Sequence, residues 1–265
     1  MNSFEKKLAQ KRQSGKKIFC AYVTLGFPSL AFTRKLVRKL EEAGVDILEL
    51  GIPFSDPMAD GPVIQDASYQ ALKNNVRVRD AFTLVAELRK EGVTIPIVFF
   101  SYYNIIHAMG AERFVRRIAA SGFDGVLCPD LPHEEGEGLA QMLSREGKSM
   151  VQLIAPTSSP SRIKAIASSS RGFIYYVSRR GVTGVQKSLD ATIQDNVRAI
   201  KKHSSLNVLV GFGVSTADQV RRVARVSDGV IVGSAIIKEI ARTRDVEKTV
   251  RFITKLAKGC GRGRK

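Results

Sequence analysis

The sequence has no tryptophan, three histidines and three cysteines in 265 residues. Without Trp, and with no basic run interleaved with aromatic residues, it lacks the stacking platform of a single-strand nucleic-acid binder. His107, His133 and His203 are isolated from one another, so no metal site is expected. Cys20, Cys128 and Cys260 match neither a metal spacing nor a disulfide framework, and the first two read as small core residues in apolar runs. No run is long and apolar enough to span a bilayer, and the polar N-terminus has no secretion signal, so a cytoplasmic setting and no membrane partner are expected. No G-x-G-x-x-G follows the first apolar run, where TLGFPSL stands instead, and no Pro/Ser-rich linker divides the chain.

Acids are scarce beside bases, 25 against 42, for a net charge of +17. The excess gathers in basic tails, about 1–17 and 258–265; residues 1–17 and 255–265 each carry a net +5. Charge alone fixes neither fold nor partner. The reading is a solvated basic surface that binds no nucleic acid, with a field that helps to attract a phosphorylated substrate.

Against these absences stands an ordinary globular composition, 44% hydrophobic and 25% charged. Near-continuous apolar runs recur at 18–25, 46–50, 95–101, 125–129, 150–155, 173–178, 207–211 and 229–233. Such runs fit strands covered on both faces. Helical patterns lie between them: 29–43, 80–91, a stretch around Phe114, Val115 and Ile118, then 135–146, 160–168, 190–202, 216–225 and 246–257. The spacing predicts one α/β domain over 1–265, a single (β/α)8 TIM barrel with an N-terminal helix and extra short helices. A doubly wound open sheet is the main alternative.

The segment LELGIPFSDPMADGPVIQ, 48–65, places a lone acid, Glu49, in an apolar strand before a long acidic turn. An unpaired buried carboxylate is costly. Alternation puts Ile47, Glu49 and Gly51 on one side and the leucines on the other, so Glu49 is expected in the barrel mouth with a pKa raised toward neutrality. A structural ion pair with Lys or Arg is the alternative. Asp56 and Asp60 in the following loop read either as turn residues or as catalytic groups on a long loop at the active face. Late in the chain, glycine-rich turns follow three successive strands: RRGVTG (179–184), GFGVS (211–215) and VGSAI (232–236). Backbone N–H groups there can close on a phosphate at a helix N-terminus. Arg179 reads as a phosphate contact or a loop stabiliser, Tyr175 as an inward site residue or barrel packing, and YYN (102–104) as part of the same mouth.

These blocks, with PDLP (129–132) and APTS (155–158), resemble the α subunits of tryptophan synthase from about Phe4 to Leu256. The resemblance implies retro-aldol cleavage of indole-3-glycerol phosphate to indole and glyceraldehyde 3-phosphate. It also implies an α2β2 tetramer with a β subunit that carries pyridoxal phosphate, and no cofactor in this chain. By the same resemblance Glu49 is the general acid–base and Asp60 the second catalytic carboxylate. Ile64, Phe212 and Tyr175 line the indole site, and Gly184, Gly213, Gly233 and Ser234 bind phosphate. Thr183 contacts the Asp60 loop on closure, and Asp56, Arg179 and Asp130 serve loop and partner communication. Four residues depart from the family pattern: Ile105 and His133 on the partner side, Leu25 and Phe100 where the indole pocket is shaped. An alternative role is a weakly catalytic subunit that activates the β subunit.

Overall fold

The structure is a computed structural model that describes residues 1–178, 186–211 and 213–261. Eight parallel strands close into a barrel in sequence order: β1 (Ile18–Thr24), β2 (Ile47–Gly51), β3 (Ile97–Phe100), β4 (Gly125–Leu127), β5 (Ser149–Ile154), β6 (Phe173–Val177), β7 (Asn207–Gly211) and β8 (Gly229–Val232). The predicted (β/α)8 barrel is the observed fold, and the open sheet is excluded because β8 pairs with β1.

Two apolar cores explain the strand composition. Leu48, Leu50, Val23 and Phe99 pack outward against the helices, while Ile47, Cys20, Val98 and Leu209 fill the interior. Both faces of each strand are therefore dry, as near-continuous apolar runs require. Ahead of the barrel, α1 (Ser3–Gln13) lays Phe4 and Leu8 across its lower end, and Phe4 meets Phe173 edge-on at 6.3 Å. Asn2 and Glu5 form a reciprocal cap at its start, which satisfies two end groups of the helix. The residues 1–17 expected as a basic tail are thus largely docked: Lys11 pairs with Asp46 at 2.5 Å and Lys17 donates to the Ser227 carbonyl at 2.7 Å. At the other end Gly259 and Cys260, within the segment expected as a basic tail, are buried.

The outer layer follows the predicted stripes in α2 (Leu30–Leu40), α4 (Val78–Lys90), α6 (Ala111–Ser121), α7 (His133–Arg145), α8 (Pro160–Ser169), α9 (Gln186–Lys201), α10 (Ala217–Val226) and α12 (Val246–Ala257). Three further helices, α3 (Pro62–Lys73), α5 (Tyr103–Met109) and α11 (Ser234–Thr243), fall outside the helical windows read from apolar periodicity. α3 buries only Ala67, Ser68 and Ala71, too small to mark a stripe, and α5 buries only Ile106 over seven residues.

Candidate active site

At the upper end of the strands lies a cavity of about 880 Å³. It brings together Glu49, Asp60, Ile64, Tyr175, Gly213, Gly233, Ser234 and Asp130, all named from the sequence. Thr183, Gly184, Phe212 and Arg179 lie outside the described residues. Asp56 does not join the cavity; it is exposed on the turn after β2, where Ser55 Oγ donates to its carboxylate at 2.5 Å.

Glu49 is 1% exposed, and its Oε1 has no hydrogen-bond partner. Among the described residues no Lys or Arg pairs with it, so the ion-pair alternative finds no support. Burial alone raises its pKa from the ordinary 4.5 to about 8, because the ionised form cannot be hydrated. At pH 7 Glu49 therefore carries its proton. Asp60 differs. Burial raises it to about 6, and the Tyr102 hydroxyl, which donates to Oδ2 at 3.0 Å, opposes that rise. Tyr102 is itself fixed: it accepts from the Ala59 N–H at 3.0 Å and stacks on Phe54 at 5.2 Å. Asp60 is thus mainly ionised at pH 7, and one cavity holds a carboxylic acid and a carboxylate in complementary states.

Two tyrosines frame these groups in matching ways. Tyr22 of β1 lies beside Glu49 in register, and its ring covers Gly51 at the end of β2. Tyr175 of β6 covers Gly211 at the end of β7. A Cβ at either glycine would collide with the phenol hydroxyl, so each glycine is required for close approach. Burial and the charge of Glu49 push the Tyr175 phenol well above its ordinary value, which keeps it a neutral hydrogen-bond donor. Phe100 meets Tyr22 edge-on at 5.4 Å and lines the wall, as its departure from the family pattern implied. Leu25 does not: it is buried in the core between strands and helices, away from the cavity, because it follows the outward-facing side of β1.

Across β1 from Glu49, next to Tyr22, Gly233, Ser234 and Ala235 line the cavity where α11 begins. The first N–H groups of a helix have no partner within it and favour an anion. Lys238, one turn along, also faces the cavity. Tyr22 and Lys238 were missed in the sequence. Strand alternation from Glu49's register partner signals the first, and a helical position four after Ser234 signals the second. Asp130 ties the turn after β4 to α5 by accepting from the Tyr103 N–H at 2.9 Å, and His133 at the start of α7 lines the far side of the cavity. Among the described residues no cluster of His, Cys, Asp or Glu could hold a metal ion, and no helix is long and apolar enough to cross a membrane.

Known proteins match nearly the whole chain in sequence and in fold. A family model described as "Tryptophan synthase alpha chain" matches residues 8–261. The chain is 46% identical over 233 residues to the tryptophan synthase alpha chain of Halalkalibacterium halodurans, covering 88% of each chain. It is 45% identical over 247 residues to that of Dehalococcoides mccartyi, covering 93% of this chain and 95% of the relative. Among solved structures, tryptophan synthase subunit alpha from Legionella pneumophila superposes with a TM-score of 0.91 at 33% identity, covering 98% of this chain and 99% of that one. A chain of tryptophan synthase from M. tuberculosis, in an open form with BRD0059 bound, gives a TM-score of 0.87 at 30% identity, covering 97% and 98%.

Proposed function

The chain belongs to the tryptophan synthase alpha chain family, carbon–carbon lyases that cleave indole-3-glycerol phosphate in tryptophan biosynthesis, and from that membership we propose roles for its own residues. Glu49 donates its proton to the indole ring carbon that bears the side chain. The ring then carries positive charge at its nitrogen, which the Asp60 carboxylate stabilises. As a carboxylate, Glu49 takes the proton from the adjacent side-chain hydroxyl. The carbon–carbon bond breaks, its electron pair returns to the ring, and indole and glyceraldehyde 3-phosphate are released. Glu49 ends protonated, as it began.

The observation that carries this reading is a buried Glu49, whose Oε1 has no hydrogen-bond partner, in one cavity with Asp60, burial holding Glu49 further above its ordinary pKa than Asp60. Burial tunes Glu49 close to working pH, where one group can serve as acid and then as base. Ile64, Tyr175 and Phe212 would bound the indole, with Tyr22 and Phe100 beside them. Gly184, Gly213, Gly233 and Ser234 would hold the phosphate, whose binding energy orients the reacting bond. Thr183 would meet the Asp60 loop on closure.

This half-reaction needs no cofactor of the chain's own; pyridoxal phosphate belongs to the β subunit. The proposed assembly is an α2β2 complex in the cytoplasm, built on one barrel domain over 1–265, with Asp56, Asp130 and Arg179 in loop and partner communication. The alternative, a weakly catalytic activator of the β subunit, has less support, because both carboxylates face one cavity. Indole release by the purified chain, with and without a β subunit, tests the assignment. Loss of that release in Glu49→Gln supports the proton shuttle, and unchanged release overturns it.

A further inference from the structure

A second cavity, of about 530 Å³, opens on the barrel rim among the turn after β2, the end of α3, the start of α4, and helices α5 and α6. Its floor is apolar, with Phe54, Val76, Phe82 and Met109 among the lining residues. Its border is cationic: Arg77, Arg79, Arg113 and Arg117 line it, and no Asp, Glu or Lys does. All four arginines are exposed, and none has a carboxylate partner among the described residues. The nearby acids are engaged elsewhere. Asp80 caps α4 by accepting from the Arg77 N–H at 2.7 Å, and Glu112 faces Arg116.

Arg113 and Arg117 stand four apart on α6 and share a face, so their charges repel unless an anion lies between them. Guanidinium groups grip carboxylates through paired, parallel hydrogen bonds. The floor supplies the complementary apolar half, and Phe54 offers a flat ring held in place by its stacking on Tyr102. The volume matches small-molecule pockets, about 300–1,000 Å³. We propose that this rim cavity is a second binding site, separate from the barrel mouth, for a small aromatic acid whose ring lies on the apolar floor and whose carboxylate meets the arginines.

The test is an amide-resolved NMR titration of the full chain with 2-naphthoate and with its uncharged counterpart, 2-naphthamide. Naphthoate is expected to shift the amides of Val78, Ile105, Ala108 and Met109 and to bind about tenfold or more tightly than naphthamide, the worth of a charge-assisted contact. The double variant Arg113→Gln/Arg117→Gln, on an exposed helix face, is expected to lose about tenfold or more in naphthoate affinity. Arg77→Gln/Arg79→Gln gives the same readout should the first pair disturb folding. Shifts confined to Ile64, Gly213 and Gly233 at the barrel mouth would overturn the proposal. So would equal affinity for the two probes, or undiminished binding by the folded variants.

Discussion

The two ends of the barrel interior are built from the same inward strand positions and solve opposite problems. At the lower end Phe4, Leu8, Ile18 and Phe173 fill the space, with α1 as a plug. One layer higher the inward positions carry Tyr22, Glu49 and Tyr175 around an open cavity. Among the described residues four buried side-chain polar atoms lack a hydrogen-bond partner, and three of them, on Thr24, Glu49 and Ser101, lie at the upper ends of β1 to β3. The comparison teaches that the lower layers supply cohesion that the upper layer gives up. An unpaired acid in an apolar wall is unfavourable for folding and useful for proton transfer.

Substitution at each end should separate these roles. Glu49→Gln is expected to lower lyase turnover by about 10²–10⁴-fold, the usual worth of a positioned acid–base group, measured as indole formation. The same variant should be more stable than the parent at pH 8. Folded Glu49 titrates near 8 and the ordinary value is 4.5, so the folded chain retains a proton that the unfolded chain releases. Stability must then fall as pH rises between those values. Glutamine removes that dependence, which urea unfolding at pH 5 and pH 8 would reveal. Phe4→Ala should do the reverse: a loss of about 3–5 kcal/mol in unfolding free energy from a cavity in the plug, with KM unchanged.

Smaller effects sharpen the contrast within the mouth. The pH profile of kcat/KM should be a bell with limbs near 6 and 8, since activity needs ionised Asp60 and protonated Glu49. A flat profile from 6 to 8 would contradict the paired roles. Tyr102→Phe removes the hydroxyl that holds Asp60 down, so the acid limb should move upward and cost about two- to threefold in kcat/KM at pH 6. Its melting temperature should change little.

Much of this was legible because burial leaves a strong mark. Strands dry on both faces appear as apolar runs, and a lone acid inside one, Glu49, is conspicuous against them. What stayed hidden depends on contacts across the fold. α3 packs through alanine and serine, which carry no periodic signal. Tyr22 reads as one more apolar residue in IFCAYVT until the register sets it beside Glu49 and over Gly51. The partner of Asp60, Tyr102, comes from a different strand–helix unit, and the rim arginines converge from two helices. Leu25 illustrates the converse: being bulky near a site does not place a residue in it, because strand parity turns it toward the helices.

The most direct test is a carbon-13 NMR titration of the side-chain carboxyls in glutamate-labelled protein, with Glu49→Gln identifying the resonance. A Glu49 midpoint near 8, far above the other glutamates, is the expected result. A midpoint near 4.5 would contradict the account, because Glu49 would then be ionised throughout the working range with no proton to give.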